Sequence, residues 1–132
     1  MSKLRSVGWV CVRGRRILVA RTRGRDAFYL PGGKIEPGET DAGALIREVR
    51  EELSLALDPT ALAPCGVFIG PAHGYDPPVE LHMACFRADH AGPVAPSSEV
   101  EEIRWLAAAE AACCAPVARR VVEHLHASGL ID

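Results

Sequence analysis

Along the N-terminal third of the chain, apolar residues alternate with polar ones over short runs. Val7 to Val12 and Arg16 to Arg21 read as two strands rich in Val, Ile and Leu, joined by a tight turn at Arg13-Gly14-Arg15-Arg16. Phe28-Tyr29-Leu30 is a short strand that Pro31-Gly32-Gly33 stops, and Pro37-Gly38 marks another turn. From Thr40 or Asp41 to about Leu53 the pattern turns helical, with either residue able to serve as N-cap. Two further apolar stretches, Cys65 to Ile69 and Val79 to Phe86, flank a Gly- and Pro-rich loop at 70–78. Ile103 to Leu106 reads as a last short strand, and Ala107 to about His126 as a helical region interrupted at Pro116. Strands dominate the first two-thirds, and helices follow turns without regular alternation. The pattern predicts an α+β fold, a mixed sheet flanked by helices, and not a doubly wound parallel sheet.

With 132 residues, the chain is long enough for one domain with a core, expected over 1–132, and too short for two ordinary ones. An apolar fraction of 48% and a charged fraction of 24% are globular averages and exclude disorder as the organising state. The net charge of -2 lacks the basic field of a general nucleic-acid binder, so no stable nucleic-acid complex is expected. No apolar run approaches the roughly 18–20 residues of a membrane span, and the N-terminus lacks a signal-peptide stretch. Five cysteines without C-x-x-C spacing argue against a disulfide scaffold or a zinc site, and point to reduced thiols in the cytoplasm. The nucleotide-cradling loops G-x-G-x-x-G and G-x-x-x-x-G-K-[ST] are both missing, as is H-E-x-x-H. His124 and His126, two apart, diverge on a helix and are assigned to the surface.

The chemistry concentrates between Gly33 and Leu55. On a helical projection Leu45, Val49, Ala42, Leu53 and Ile46 share an arc of roughly 100°, a core-facing stripe of ordinary width. Glu48, Glu51 and Glu52 fill an adjoining arc, while Arg47 and Arg50 project to the other side. Carboxylates at i, i+3 and i+4 repel one another by a few tenths of a kcal/mol per pair on a bare helix. A hard divalent cation reverses that sign, and Mg²⁺ takes oxygen ligands, usually one or two carboxylates with water and substrate phosphate. Taken alone, such a triplet is more often a solvated face.

The residues upstream change that reading. Five residues separate Gly33 from Glu39, seven more precede Arg47, and Glu48-Val49-Arg50-Glu51-Glu52 follows. This resembles the Nudix box, G-x5-E-x7-R-E-U-x-E-E-x-G-U with U aliphatic, with Val49 and Leu55 in the aliphatic places. Six fixed positions match, and at about 7% per position the chance per start is on the order of 10⁻⁷. Leu30-Pro31-Gly32 leading into Gly33-Lys34-Ile35-Glu36-Pro37-Gly38-Glu39 also looks like the family's approach to the box. Ser54 departs from the pattern, standing where the family has a glycine that caps the helix in a left-handed conformation. Serine adopts that conformation at a cost of about 1 kcal/mol.

The resemblance implies the α/β/α sandwich of the family and hydrolysis of a diphosphate linkage in a nucleoside-diphosphate-containing substrate. It implies Mg²⁺, with Mn²⁺ a substitute, held by Glu48, Glu51, Glu52 and the Gly32 carbonyl, with one glutamate serving as base. Gly33 permits a tight turn, and Glu39 is expected to pair with Arg47 and hold the loop to the helix. A further acidic ligand is expected from Glu99-Val100-Glu101-Glu102, with Glu99 preferred for standing six residues ahead of Trp105. Homodimers are frequent in the family, and one is an option here.

The box does not choose among substrates. Small size and the Pro-Gly-Gly-Lys lead-in resemble members that cleave nucleoside triphosphates. Pro71, sixteen residues past Leu55, lies where the ADP-ribose branch carries a proline, so an ADP-ribose or nucleotide-sugar diphosphatase is the alternative. A nucleotide-sensing domain without catalysis is the alternative of another class, although such domains usually lose box glutamates. Trp9, Phe28, Tyr29 and Trp105 are candidates for base stacking and equally for the core.

Overall fold

A computed structural model describes residues 2–132 of the chain. One sheet joins β1 (Ser2–Val10), β4 (Gly32–Lys34), β5 (Ala63–Pro71) and β6 (Val79–Arg87) in the order β4-β1-β6-β5. A second joins β2 (Val12–Arg13), β3 (Arg16–Thr22) and β7 (Val100–Leu106) in the order β2-β3-β7. β1 and β6 run parallel and every other pair antiparallel, so the sheet structure is mixed as expected. Helices α1 (Asp41–Leu53) and α2 (Pro116–Ala127) complete the fold.

Alternation along the strands divides the core in two. Val7 and Trp9 of β1 and Leu18 of β3 pack with Ala44, Leu45, Val49 and Leu53 of α1. Their neighbours Val10, Ile17 and Val19 join Val117, Val121 and Leu125 of α2 in the other cluster. A strand sends successive side chains to opposite faces, so burial on both faces requires a helix on each. The α/β/α layering follows from that.

The turn between β2 and β3 has Gly14 and Arg15 at φ of 56° and 61°, the positive values of a two-residue hairpin. Elsewhere the observed bounds depart from the sequence expectation. β1 begins at Ser2, because its polar first half pairs in parallel register with residues 79–83 of β6. β5 and β7 likewise extend beyond their apolar centres. Phe28-Tyr29-Leu30 is not a strand: Tyr29 makes an isolated bridge to Ala20, and Phe28 one to Cys114. The strand lies instead at Gly32–Lys34, where pairing was expected to stop. Pro116 does not interrupt a helix but opens α2 at its first turn, where a missing N–H costs nothing. Ala108–Cys113 before it is a 3-10 segment. Among the described residues, no helix is long and apolar enough to cross a membrane.

Candidate active site

Thr40, not Asp41, caps α1, its hydroxyl accepting from the Gly43 N–H at 3.0 Å. The cap places the first turn against the loop carrying Glu39. Glu39 receives Arg47 in a two-point contact, Nε at 2.7 Å and Nη2 at 2.9 Å. That guanidinium, with the Glu36 N–H, holds the Glu39 carboxyl down at about 2, and the Glu39 carboxylate raises Arg47 in turn. The loop between β4 and α1 is thereby clipped to the helix at Arg47.

Arg47 does not stay across the helix from the glutamates, as its Cα position implied. Its long side chain bends back, and Nη1 lies 2.8 Å from Glu48 Oε1 and 3.6 Å from Glu51 Oε2. Arg50, in contrast, is exposed and pairs with none of the three glutamates. Glu52 is half-buried and accepts from the Gly32 N–H at 3.1 Å. Burial pushes its carboxyl up to about 8, and the charges of Glu48 and Glu51 add to the rise. Glu48 packs on Gly33, where a Cβ would sit 2.7 Å from the Glu48 carboxyl carbon. At Gly32 (φ 149°) a Cβ would sit 2.0 Å from the Val7 carbonyl oxygen. The two glycines do different work, one admitting a carboxylate and the other admitting a neighbouring strand.

Ser54 is left-handed at φ 55° and ψ 33°, its N–H closing on the Arg50 carbonyl. Its hydroxyl also reaches Ser97 Oγ at 2.9 Å, and the Ser97 N–H donates to the Glu52 carbonyl. The segment before β7 is thus fastened to the end of α1 at Ser97, and two residues on the Glu99 carbonyl accepts from the Arg23 N–H at 2.7 Å. Glu101 and Glu102 are engaged by Arg21, and Glu102 also by Arg104. Among the described residues, Glu99 forms no ion pair.

The carboxylates of Glu48, Glu51 and Glu52 fit a hard divalent cation in kind, with a glycine surface shaped to admit Glu48. As placed, no three His, Cys, Asp or Glu side chains among the described residues converge on one cation position. Arg47 balances the carboxylate charge in this arrangement, and the Glu51 side chain, 57% exposed, is free to turn.

Glu52 and Gly32 border a cavity of about 230 Å³. Leu30, Met83 and Val117 contribute apolar wall, and Ser6, Tyr29, Arg25 and Lys34 contribute polar groups. The hydroxyls of Ser6 and Tyr29 are buried and meet no hydrogen-bond partner among the described residues. Of the four aromatics considered for stacking, only Tyr29 lines the cavity. Trp9 is buried and donates to the Ala88 carbonyl at 2.8 Å, Phe28 is buried with the guanidinium groups of Arg21 and Arg104 over its ring, and Arg13 covers Trp105. Sequence reasoning missed Ser6, Arg25, His73 and Tyr75, which reach the cavity from separate segments with no shared motif. All five cysteines are free, and burial raises Cys11 to about 11 and Cys114 to about 12, which makes them poor nucleophiles.

Residues 2–125 match the NUDIX domain family. The chain belongs to that family. Its structure resembles the E. coli ORF135 protein (24% identity, TM-score 0.72, covering 97% of this chain and 94% of that one). It also resembles the E. coli dihydroneopterin triphosphate pyrophosphohydrolase (22% identity, TM-score 0.73, 97% and 99% covered). In sequence it is similar to human 8-oxo-dGDP phosphatase NUDT18, 49% identical over 43 residues, which are 33% of this chain and 13% of that protein. The RNA pyrophosphohydrolase of Halorhodospira halophila is 50% identical over 40 residues, 30% of this chain and 22% of that protein. The matched segments are thus a small part of these relatives.

Proposed function

We propose that the chain, as a single domain over 1–132, is a Mg²⁺-dependent hydrolase of a diphosphate linkage in a nucleoside triphosphate. The observation that carries this reading is the half-buried Glu52, set among two further carboxylates at the border of a cavity. Glu48, Glu51, Glu52, the Gly32 carbonyl and Glu99 hold the cation, for which Mn²⁺ can substitute. When bound, it neutralises charge on the diphosphate oxygens and acidifies the attacking water. Within the chain, one of the three box glutamates takes the proton from that water. Arg47 holds Glu39 and Glu48 in place, and the cavity wall orients the nucleoside.

A second reading, hydrolysis of ADP-ribose or a nucleotide sugar, is favoured by Pro71, which lines the same cavity. Free cysteines agree with a cytoplasmic setting. The test is a screen of nucleoside triphosphates, ADP-ribose, nucleotide sugars and dinucleoside polyphosphates with Mg²⁺, products identified by mass. Turnover that is abolished by EDTA and restored by Mg²⁺ or Mn²⁺ is expected. Nucleotide binding with no turnover of any compound would instead make the chain a sensor, and full activity in excess EDTA would remove the metal from the mechanism.

A further inference from the structure

The charged side chains around the cavity are of two kinds. Most arginines of the chain are committed to carboxylates: Arg21 and Arg23, just before the cavity, share Glu101. Arg25 and Lys34 line the cavity, and neither forms an ion pair among the described residues. The acids nearest them in sequence have other partners, Asp26 with His73 at 2.8 Å and Glu36 with Arg47 at 3.8 Å. The two cations come from different segments and meet the same loop between β5 and β6. A Cβ on Gly74 would lie 3.5 Å from Arg25 Nη1, and Lys34 Nζ stands 5.8 Å from the centre of the Tyr75 ring. Two unpaired cations beside a carboxylate cluster suit an anionic chain that runs from a bound cation to the protein's own positive charges.

The rest of the lining includes apolar wall from Leu4, Leu30, Leu81, Met83 and Val117, and the buried hydroxyls of Ser6 and Tyr29, which meet no partner among the described residues. The chain contains no asparagine and no glutamine. Carboxamides present a fixed donor beside a fixed acceptor, the pattern that tells one base edge from another. A hydroxyl rotates and either donates or accepts, so it satisfies an oxo and an amino edge alike. The volume, about 230 Å³, falls below the roughly 300 Å³ at which pockets for drug-sized ligands begin, so the cavity encloses part of a nucleotide and not the whole.

We propose that this cavity selects its substrate by the phosphate chain and not by the base, with Arg25 and Lys34 binding chain oxygens and the Ser6 and Tyr29 hydroxyls tolerating any common base. The inference rests on the hydrolase reading only for the identity of the site. Its test is therefore binding, measured by calorimetry with Mg²⁺ and methylene-bridged di- and triphosphates of adenosine, guanosine, cytidine and uridine. Within one phosphate number, affinities are expected to agree within about tenfold across the four bases, since a neutral hydrogen bond contributes about 0.5–1.5 kcal/mol. The third phosphate should tighten binding by about tenfold or more. Arg25→Gln and Lys34→Gln should each remove most of that gain, Arg25→Lys should retain part of it, and the exposed Arg50→Gln should match the wild type. A base preference above about tenfold, equal affinity for di- and triphosphates, or an unchanged phosphate gain in both Gln variants would each overturn the proposal. The wild-type matrix decides on its own if a variant does not fold. Turnover of unmodified nucleotides, recorded separately, reports on the hydrolase reading: a silent protein with the expected binding pattern loses that reading and keeps this one.

Discussion

At the residue scale, the glutamates separate function from structure. Glu→Gln keeps shape and helix propensity while removing charge. Glu52→Gln retains an oxygen to accept from the Gly32 N–H, and relieves a half-buried carboxylate of two like-charged neighbours. The metal-free variant is expected to melt at or slightly above the wild-type temperature, while kcat/KM at saturating Mg²⁺ falls by at least about 10²-fold. Near-wild-type kcat/KM on the best substrate would remove Glu52 from the site. Ser54 poses the opposite problem, since its conformation was legible and its energetics were not. Relief of left-handed strain alone would make Ser54→Gly stabilising by about 0.5–1 kcal/mol. The hydroxyl contact to Ser97 at 2.9 Å opposes that with a term of about 0.5–1.5 kcal/mol, so a net change within about 0.5 kcal/mol is expected. In a Ser97→Ala background the opposing contact is gone, and the same substitution should then stabilise. Urea unfolding of the four proteins measures both, and additivity of the two changes would show that the contact carries no weight.

At the element scale, the helix α1 was readable because its apolar period, cap residues and spacing all agree locally. The short strand β4 was not, because nothing in Pro31-Gly32-Gly33-Lys34 favours a strand. Its pairing depends on β1 coming close enough that only glycine fits, which is a tertiary fact. The same cause hid the polar start of β1 and the cavity residues Arg25, His73 and Tyr75, which distant pairings bring together. The two glycines should answer differently to substitution. Gly32→Ala places a Cβ 2.0 Å from a strand backbone oxygen that cannot move without breaking register, so a loss above about 2 kcal/mol is expected. Gly33→Ala meets the end of the Glu48 side chain at 2.7 Å, which can turn aside. It should cost less stability, yet lower kcat/KM, because Glu48 is moved from its place. Thermal melts with kinetics decide this, and equal stability losses would show that the glycines share one role.

At the scale of the whole molecule, the mixed sheet flanked by helices was legible from the order of strands, turns and helices, and the α/β/α layering from the resemblance of the box, whereas the charge balance of the site was not. Helical projection set Arg47 opposite the glutamates; in the fold its guanidinium reaches Glu39, Glu48 and Glu51 at once. That arrangement ties stability to cation binding. If Glu48, Glu51, Glu52 and Glu99 ligate Mg²⁺ in the folded chain and are scattered in the unfolded one, binding stabilises only the native state. The gain is RT ln(1 + [L]/Kd), about 2.7 kcal/mol at a hundredfold excess over Kd. At the few degrees per kcal/mol usual for domains near this size, Tm should rise by several degrees as Mg²⁺ is added, with a logarithmic dependence on concentration. Ordinary salt at matched ionic strength should not reproduce the rise, since screening acts on Arg47 and the glutamates together. Glu52→Gln should flatten the Mg²⁺ dependence, whereas Arg50→Gln should leave it intact. A Tm in wild type that follows ionic strength alone, identical for MgCl₂ and NaCl, would show that the glutamate cluster is a solvated face balanced by Arg47 and holds no cation before substrate arrives.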